Sequence, residues 1–236
     1  MNCISVRNVI FNYDSFNVID GLNFSIDCGE KYSLIGANGS GKSTTLKILA
    51  GLLRPISGEV EILGNNPENQ DVKRKIGYLP EDASPYRLLS VRENVEYAAA
   101  LRGVEDVRDS ADSIMEYFDV RGYERIKSSK LSRGKLQRLS LSMALVHKPE
   151  IMILDEPLNY LDVPTQEKTV KLLRSSKSTV FVSTHILSTA NRLTDHIMIL
   201  SSGRISWSGT LAEINEEGDS AETLETKVAR MMNGRA

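Results

Sequence analysis

Eight consecutive residues, Gly36-Ala37-Asn38-Gly39-Ser40-Gly41-Lys42-Ser43, have the types and spacing needed to hold a chain of phosphates. Glycines let the backbone wrap an anion, so that successive N–H groups point inward and the start of a following helix adds partial positive charge. Lys42 brings a full charge to the terminal phosphates, and the Ser43 hydroxyl is suited to ligate Mg2+. Thr44, next in line, joins Gly36, Asn38, Gly39, Ser40, Gly41, Lys42 and Ser43 as a candidate nucleotide contact. A glycine-rich turn with a solvated lysine would match the same letters. The apolar strand pattern before the loop and the helical pattern from Ser43 favour the phosphate reading.

A second constellation follows the apolar run Ile151-Met152-Ile153-Leu154, where Asp155 and Glu156 stand just past the end of a strand. In open α/β sheets the carboxyl ends of strands face the ligand, so both acids can reach a nucleotide. Asp155 then holds Mg2+ directly or through its water, and Glu156 orients or deprotonates the attacking water.

These groups must be carried by a folded α/β scaffold. With 236 residues, 41% apolar and 25% charged, the chain suits one large domain or two small ones, and a net charge of -2 offers no general attraction to nucleic acid. No nucleic-acid partner is expected. The two cysteines, Cys3 and Cys28, are far apart in sequence and show no metal-ligand spacing, so neither a disulfide framework nor a zinc site is expected, and a reducing compartment fits. No stretch of about 18 apolar residues is present to span a bilayer.

Short apolar runs alternate with helical patterns. Strands are expected near 4–11, 22–26, 32–35, 76–79, 151–154, 179–183 and 196–200, with the uninterrupted run at 151–154 covered on both faces as in parallel sheets. Residues from about 86 to 147 read as an inserted helical subdomain, opened by the capping pair Ser90 and Glu93. Residues 1–215 then form the nucleotide-binding domain, and 216–236, rich in acidic and small residues, a loosely ordered tail.

Joined to Leu131-Ser132-Arg133-Gly134-Lys135-Leu136-Gln137-Arg138 and Ser183-Thr184-His185, the two constellations resemble the nucleotide-binding subunit of ATP-binding-cassette (ABC) transporters. The resemblance runs in family order from Tyr13 to His185 and covers most of the chain. It implies a P-loop NTPase fold of ABC type: a RecA-like mixed sheet, an antiparallel β subdomain and an inserted α-helical subdomain. It also implies an ATPase using ATP and Mg2+, whose subunits pair head to tail, a homodimer being sufficient. Each site is closed by the partner's signature segment, here Ser132 and the backbone of Gly134. Asp162 resembles the acid linking the two sites, His185 the switch histidine that bonds the γ-phosphate, and Tyr13 the ring that stacks on adenine. Glu81 stands where the family usually has a glutamine that reaches Mg2+ and the attacking water. Arg133, Lys135 and Tyr160 are further departures; Gly134 is kept, so the dimer contact is expected to survive.

The runs Gly77-Tyr78-Leu79-Pro80-Glu81 and Ser132-Arg133-Gly134 look like the ATPase subunits of bacterial and archaeal drug-efflux or permease-type exporters. In these the membrane permease is a separate polypeptide that docks on the helical stretch after Glu81. The ATPase then sits on the cytoplasmic face of the cell membrane. A soluble cassette ATPase acting on DNA, ribosomes or cluster assembly is the rival reading. Fewer than one hundred residues between Lys42 and Ser132 leave no room for the long coiled coils of chromosome-maintenance members, and one phosphate loop contrasts with the two of translation members.

Overall fold

The computed structural model describes residues 2–14, 16–82, 85–216 and 222–232. In chain order the elements are β1 (Asn2–Asn12), β2 (Asn17–Asp27), β3 (Lys31–Ile35), α1 (Lys42–Leu49), β4 (Ser57–Ile62), α2 (Gln70–Lys75), β5 (Ile76–Leu79), α3 (Val91–Leu101), α4 (Val107–Tyr117), α5 (Arg133–Leu145), β6 (Ile151–Asp155), α6 (Val163–Ser175), β7 (Thr179–Thr184), α7 (Leu187–Leu193), β8 (His196–Ser201), β9 (Arg204–Gly209), α8 (Leu211–Glu216) and α9 (Leu224–Met232). Six strands form a mixed sheet in the order β5-β6-β7-β3-β8-β9, parallel except for β9, which returns antiparallel beside β8. A separate antiparallel sheet runs β2-β1-β4.

Alternation along β6 shows why its sequence is apolar throughout. Ile151 and Ile153 pack with α1 and the antiparallel sheet, whereas Met152 and Leu154 pack with the helices of the opposite face. The strands β4 and β9 were not evident from apolar runs because each has one face toward solvent and alternates polar with apolar residues. Between β5 and β6 the chain makes α3, α4 and α5. Their start is fixed locally: the Ser90 hydroxyl accepts from the Glu93 N–H and the Glu93 carboxylate from the Ser90 N–H. Arg92 pairs with Glu96 within α3 at 3.1 Å and ties the helix to the rest of the block through Asp112 at 2.7 Å and Glu124 at 2.6 Å.

Two expectations are corrected here. Cys3 and Cys28 form a disulfide, with Cα atoms 4.8 Å apart. The antiparallel register of β1 on β2, which pairs Asn2 with Asp27, brings together residues that sequence distance had separated. Cysteine usage therefore gives no support to a reducing compartment. The tail is not loose throughout: α9 lies against the β8 side of the sheet, with Val228 buried in a cluster with Ile197, Ile199 and Ile214. Its apolar residues recur at helical spacing among charged ones, which the acidic composition masked. Residues 217–221 and 233–236 lie outside the described residues.

His147 and His196 hold structural places. His147 Nε2 lies 3.2 Å from the Ile76 carbonyl, and burial pushes its pKa down to about 4, so it is neutral at physiological pH. His196 stacks on Tyr32. Among the described residues no helix is long and apolar enough to cross a membrane.

Candidate nucleotide site

The loop between β3 and α1 is built around glycines that no other residue can replace without strain. Gly39 and Gly41 have φ of 80° and 107°, and a Cβ at Gly41 would lie 2.7 Å from Ile19 and 2.9 Å from the Val18 carbonyl. At Gly36 it would meet the Leu200 carbonyl and Ser40 Oγ at 2.5 Å. Helix α1 begins at Lys42 with Gly41 as its N-cap and no side-chain cap, leaving its first N–H groups directed at the loop mouth. Lys42 Nζ donates to the carbonyls of Gly36 at 2.8 Å and Ala37 at 3.1 Å. Burial lowers its pKa, and the charges of Glu156, Asp155 and Glu81 oppose that shift.

A cleft of about 500 Å3 opens over this loop and is lined by Tyr13, Asn38, Gly39, Gly41, Lys42, Ser43 and Thr44 together with Glu81, Asp155, Glu156 and His185. The structure thus gathers groups separated by up to about 170 positions in the sequence into one chamber. Tyr13 is 56% exposed, meets Phe11 edge-on and reaches Thr44 Oγ1 with its hydroxyl at 3.3 Å. Phe11 is buried in β1, whereas Phe16 is exposed.

At the far ends of β6 and β7 the acids are tightly constrained. Asp155 is 2% exposed and accepts a hydrogen bond from Ser183 Oγ. Glu156 has φ of 47°, an uncommon backbone region for a residue with a Cβ, and its Oε1 accepts from the His185 backbone N–H at 3.0 Å and from Nδ1 at 2.6 Å. Backbone and ring of His185 thus both meet one carboxyl oxygen of Glu156 at the wall of the cleft.

Ser132, Gly134 and Asp162 are not brought into this chamber. They gather where the N-termini of α5 and α6 meet: Ser132 and Asp162 are the two N-cap residues, and a Cβ on Gly134 would lie 2.8 Å from the Tyr160 carbonyl. Arg138 reaches Asp162 at 2.7 Å, and the Arg133 guanidinium lies over the exposed Tyr160 ring at 5.4 Å. Two of the departures from the resembled pattern therefore stack on one another, and a third, Lys135, lies 4.5 Å over the Tyr123 ring.

The donor set fits a nucleotide with Mg2+. Ser43, Glu81 and Asp155 offer hard oxygen donors on the wall of the cleft, and Mg2+ takes one or two carboxylates plus phosphate oxygens and water rather than a protein cage.

Comparison with known proteins agrees with this geometry. The family model described as ABC transporter matches residues 19–159. The chain belongs to the ABC transporter family. This cassette is 34% identical over 219 residues to the uncharacterized ABC transporter ATP-binding protein YxlF of Bacillus subtilis, covering 91% of the chain and 73% of that protein. It is 35% identical over 199 residues to the bacitracin transport ATP-binding protein BcrA of Bacillus licheniformis, covering 82% and 65%. A dimeric structure of a post-hydrolysis state of the ATP-binding cassette MJ0796, bound to ADP and Pi, superposes with a TM-score of 0.79 at 26% identity, covering 88% of this chain and 98% of that one. The chain is an ABC ATPase with the mixed-sheet P-loop fold of that family.

Three residues of the cassette's site escaped the sequence reading. Val18 lines the cleft and supplies the carbonyl against Gly41. Gln137, buried in α5, donates through Nε2 to the carbonyls of Glu156 at 3.4 Å and Pro157 at 3.3 Å. Ser183 bonds both acids. Only Ser183 carried a sequence signal, as one of two hydroxyl residues closing the apolar run Val180-Phe181-Val182.

Proposed function

We propose that this ATPase is one half of a head-to-tail pair that drives transport through a separately encoded membrane permease. The observation that carries the proposal is the division of the site: Lys42, Asp155, Glu156 and His185 share one chamber, while Ser132, Gly134 and Asp162 form an exposed second cluster at two helix starts. A second copy placed head to tail completes each chamber with the cluster of the other. Tyr13 stacks on the adenine, the loop from Gly36 to Thr44 takes the phosphates, and Glu156 accepts the proton of the attacking water. Ser43, Glu81 and Asp155 would hold Mg2+, which when bound would neutralise charge developing on the terminal phosphates. His185, held against Glu156 through Nδ1, meets the γ-phosphate from the wall of the cleft.

Docking to a permease is supported by apolar side chains left exposed after Glu81, among them Tyr86, Leu88 at 79% and Tyr97. The cassette would then work at the cytoplasmic face of the membrane. A drug-efflux or permease-type exporter is the type that the Pro80-Glu81 and Ser132-Arg133-Gly134 runs favour.

Replacing Ser132 by arginine tests the pairing. The side chain is exposed and makes no cap bond, so folding and nucleotide binding are expected to stay within about twofold of the parent. Hydrolysis is expected to fall on the order of 100-fold and ATP-dependent pairing to disappear from light scattering. Undiminished turnover would remove the signature segment from the site. For Glu81→Gln, the Mg2+ concentration giving half-maximal turnover is expected to rise about three- to tenfold, because one carboxylate leaves the metal's surroundings; an unchanged Mg2+ titration would put Glu81 out of reach of the ion.

A further inference from the structure

We infer that Ser183 is a positioning residue that fixes Asp155 and Glu156 through one hydroxyl group. Ser183 is 0% exposed and pairs in register with Asp155 across β6 and β7, on the α1 side of the sheet that Phe181 and Ile153 also face. Its Oγ donates to Asp155 Oδ1. The same oxygen lies 3.3 Å from the Glu156 N–H, which also reaches the Ser183 carbonyl at 3.2 Å.

A hydroxyl has one proton to give and lone pairs to accept with, and here each is used on a different acid. The proton satisfies one oxygen of a buried carboxylate and leaves the other oriented toward the cleft for a metal or its water. The lone pair steadies the N–H of Glu156, a residue held at φ of 47° where few side-chain-bearing residues settle. Serine thus links the carboxylate that holds the ion to the backbone that aims the base. A merely structural hydroxyl would bond a carbonyl of its own strand, as Thr169 does within its helix with the Thr165 carbonyl.

The inference rests on the proposed Mg2+ role of Asp155, and the test separates the two. Ser183→Ala removes the hydroxyl; Ser183→Cys keeps its size but is a weak donor. Binding of a fluorescent ATP analogue by the purified full chain is measured in EDTA and across an Mg2+ titration, with steady-state phosphate release beside it. In EDTA both variants are expected to bind as the parent does. The Mg2+ concentration for half-maximal effect is expected to rise on the order of tenfold, with a fall in kcat at saturating Mg2+. Either folded variant with the parent's Mg2+ titration and kcat overturns the inference. Should Ser183→Ala not fold, Ser183→Cys decides alone. Equal loss of binding in EDTA and in Mg2+ also overturns it, because that is the mark of general disruption. A parent chain whose nucleotide binding ignores Mg2+ overturns the metal reading itself and this inference with it.

Discussion

The Lys42→Ala variant is expected to lose at least about 100-fold in ATP hydrolysis, with nucleotide binding weakened in parallel. Lys42 is 8% exposed, and among the cleft-lining residues it is the one lysine or arginine, set against three acidic side chains, Glu81, Asp155 and Glu156. Without it the terminal phosphates would approach a negative wall with only backbone N–H groups to offset the repulsion. Folding should survive, since burial already disfavours the charged amine and its partners are two backbone carbonyls, one buried and one partly exposed. Phosphate release and fluorescent-nucleotide titration, with a thermal melt as control, check the expectation. Turnover within a few-fold of the parent would contradict the assignment of the loop.

The second large effect is expected at Glu156. Glutamine keeps the shape and its Oε1 still accepts from the His185 N–H groups, but it cannot take a proton from water at neutral pH. Hydrolysis should fall by about 100- to 10,000-fold, while ATP binding remains and the ATP-bound pair accumulates. Size-exclusion chromatography with light scattering, run with and without ATP, distinguishes the outcomes: a variant that stays monomeric and turns over normally removes Glu156 from the role of base.

The sequence exposed those parts of the site whose physics is local. A loop that cradles phosphate needs glycines at fixed spacing and a lysine at the helix start, and Gly36 to Ser43 declare both within eight residues. Asp155 and Glu156 were legible because a strand buried on both faces has to be apolar until it ends. What depended on register was hidden. The pairing of Cys3 with Cys28 follows from how β1 lies on β2, and no spacing rule encodes it. The strands β4 and β9 lacked continuous apolar runs, and α9 hid its contact residue Val228 among charged neighbours. A serine at the end of β7 and a glutamine inside α5 are ordinary letters until neighbouring elements give them something to bond. The division of the site between two clusters was likewise invisible to composition and came from the resemblance alone.

Gln137 has a mechanical consequence. Its side-chain amide is a buried link from α5 to the turn at Glu156 and Pro157, made through two hydrogen bonds of 3.4 and 3.3 Å. Neutral bonds of this kind are worth about 1 kcal/mol each. Severing both would therefore cost about 2 kcal/mol and part the carbonyls of Glu156 and Pro157 from the helical block.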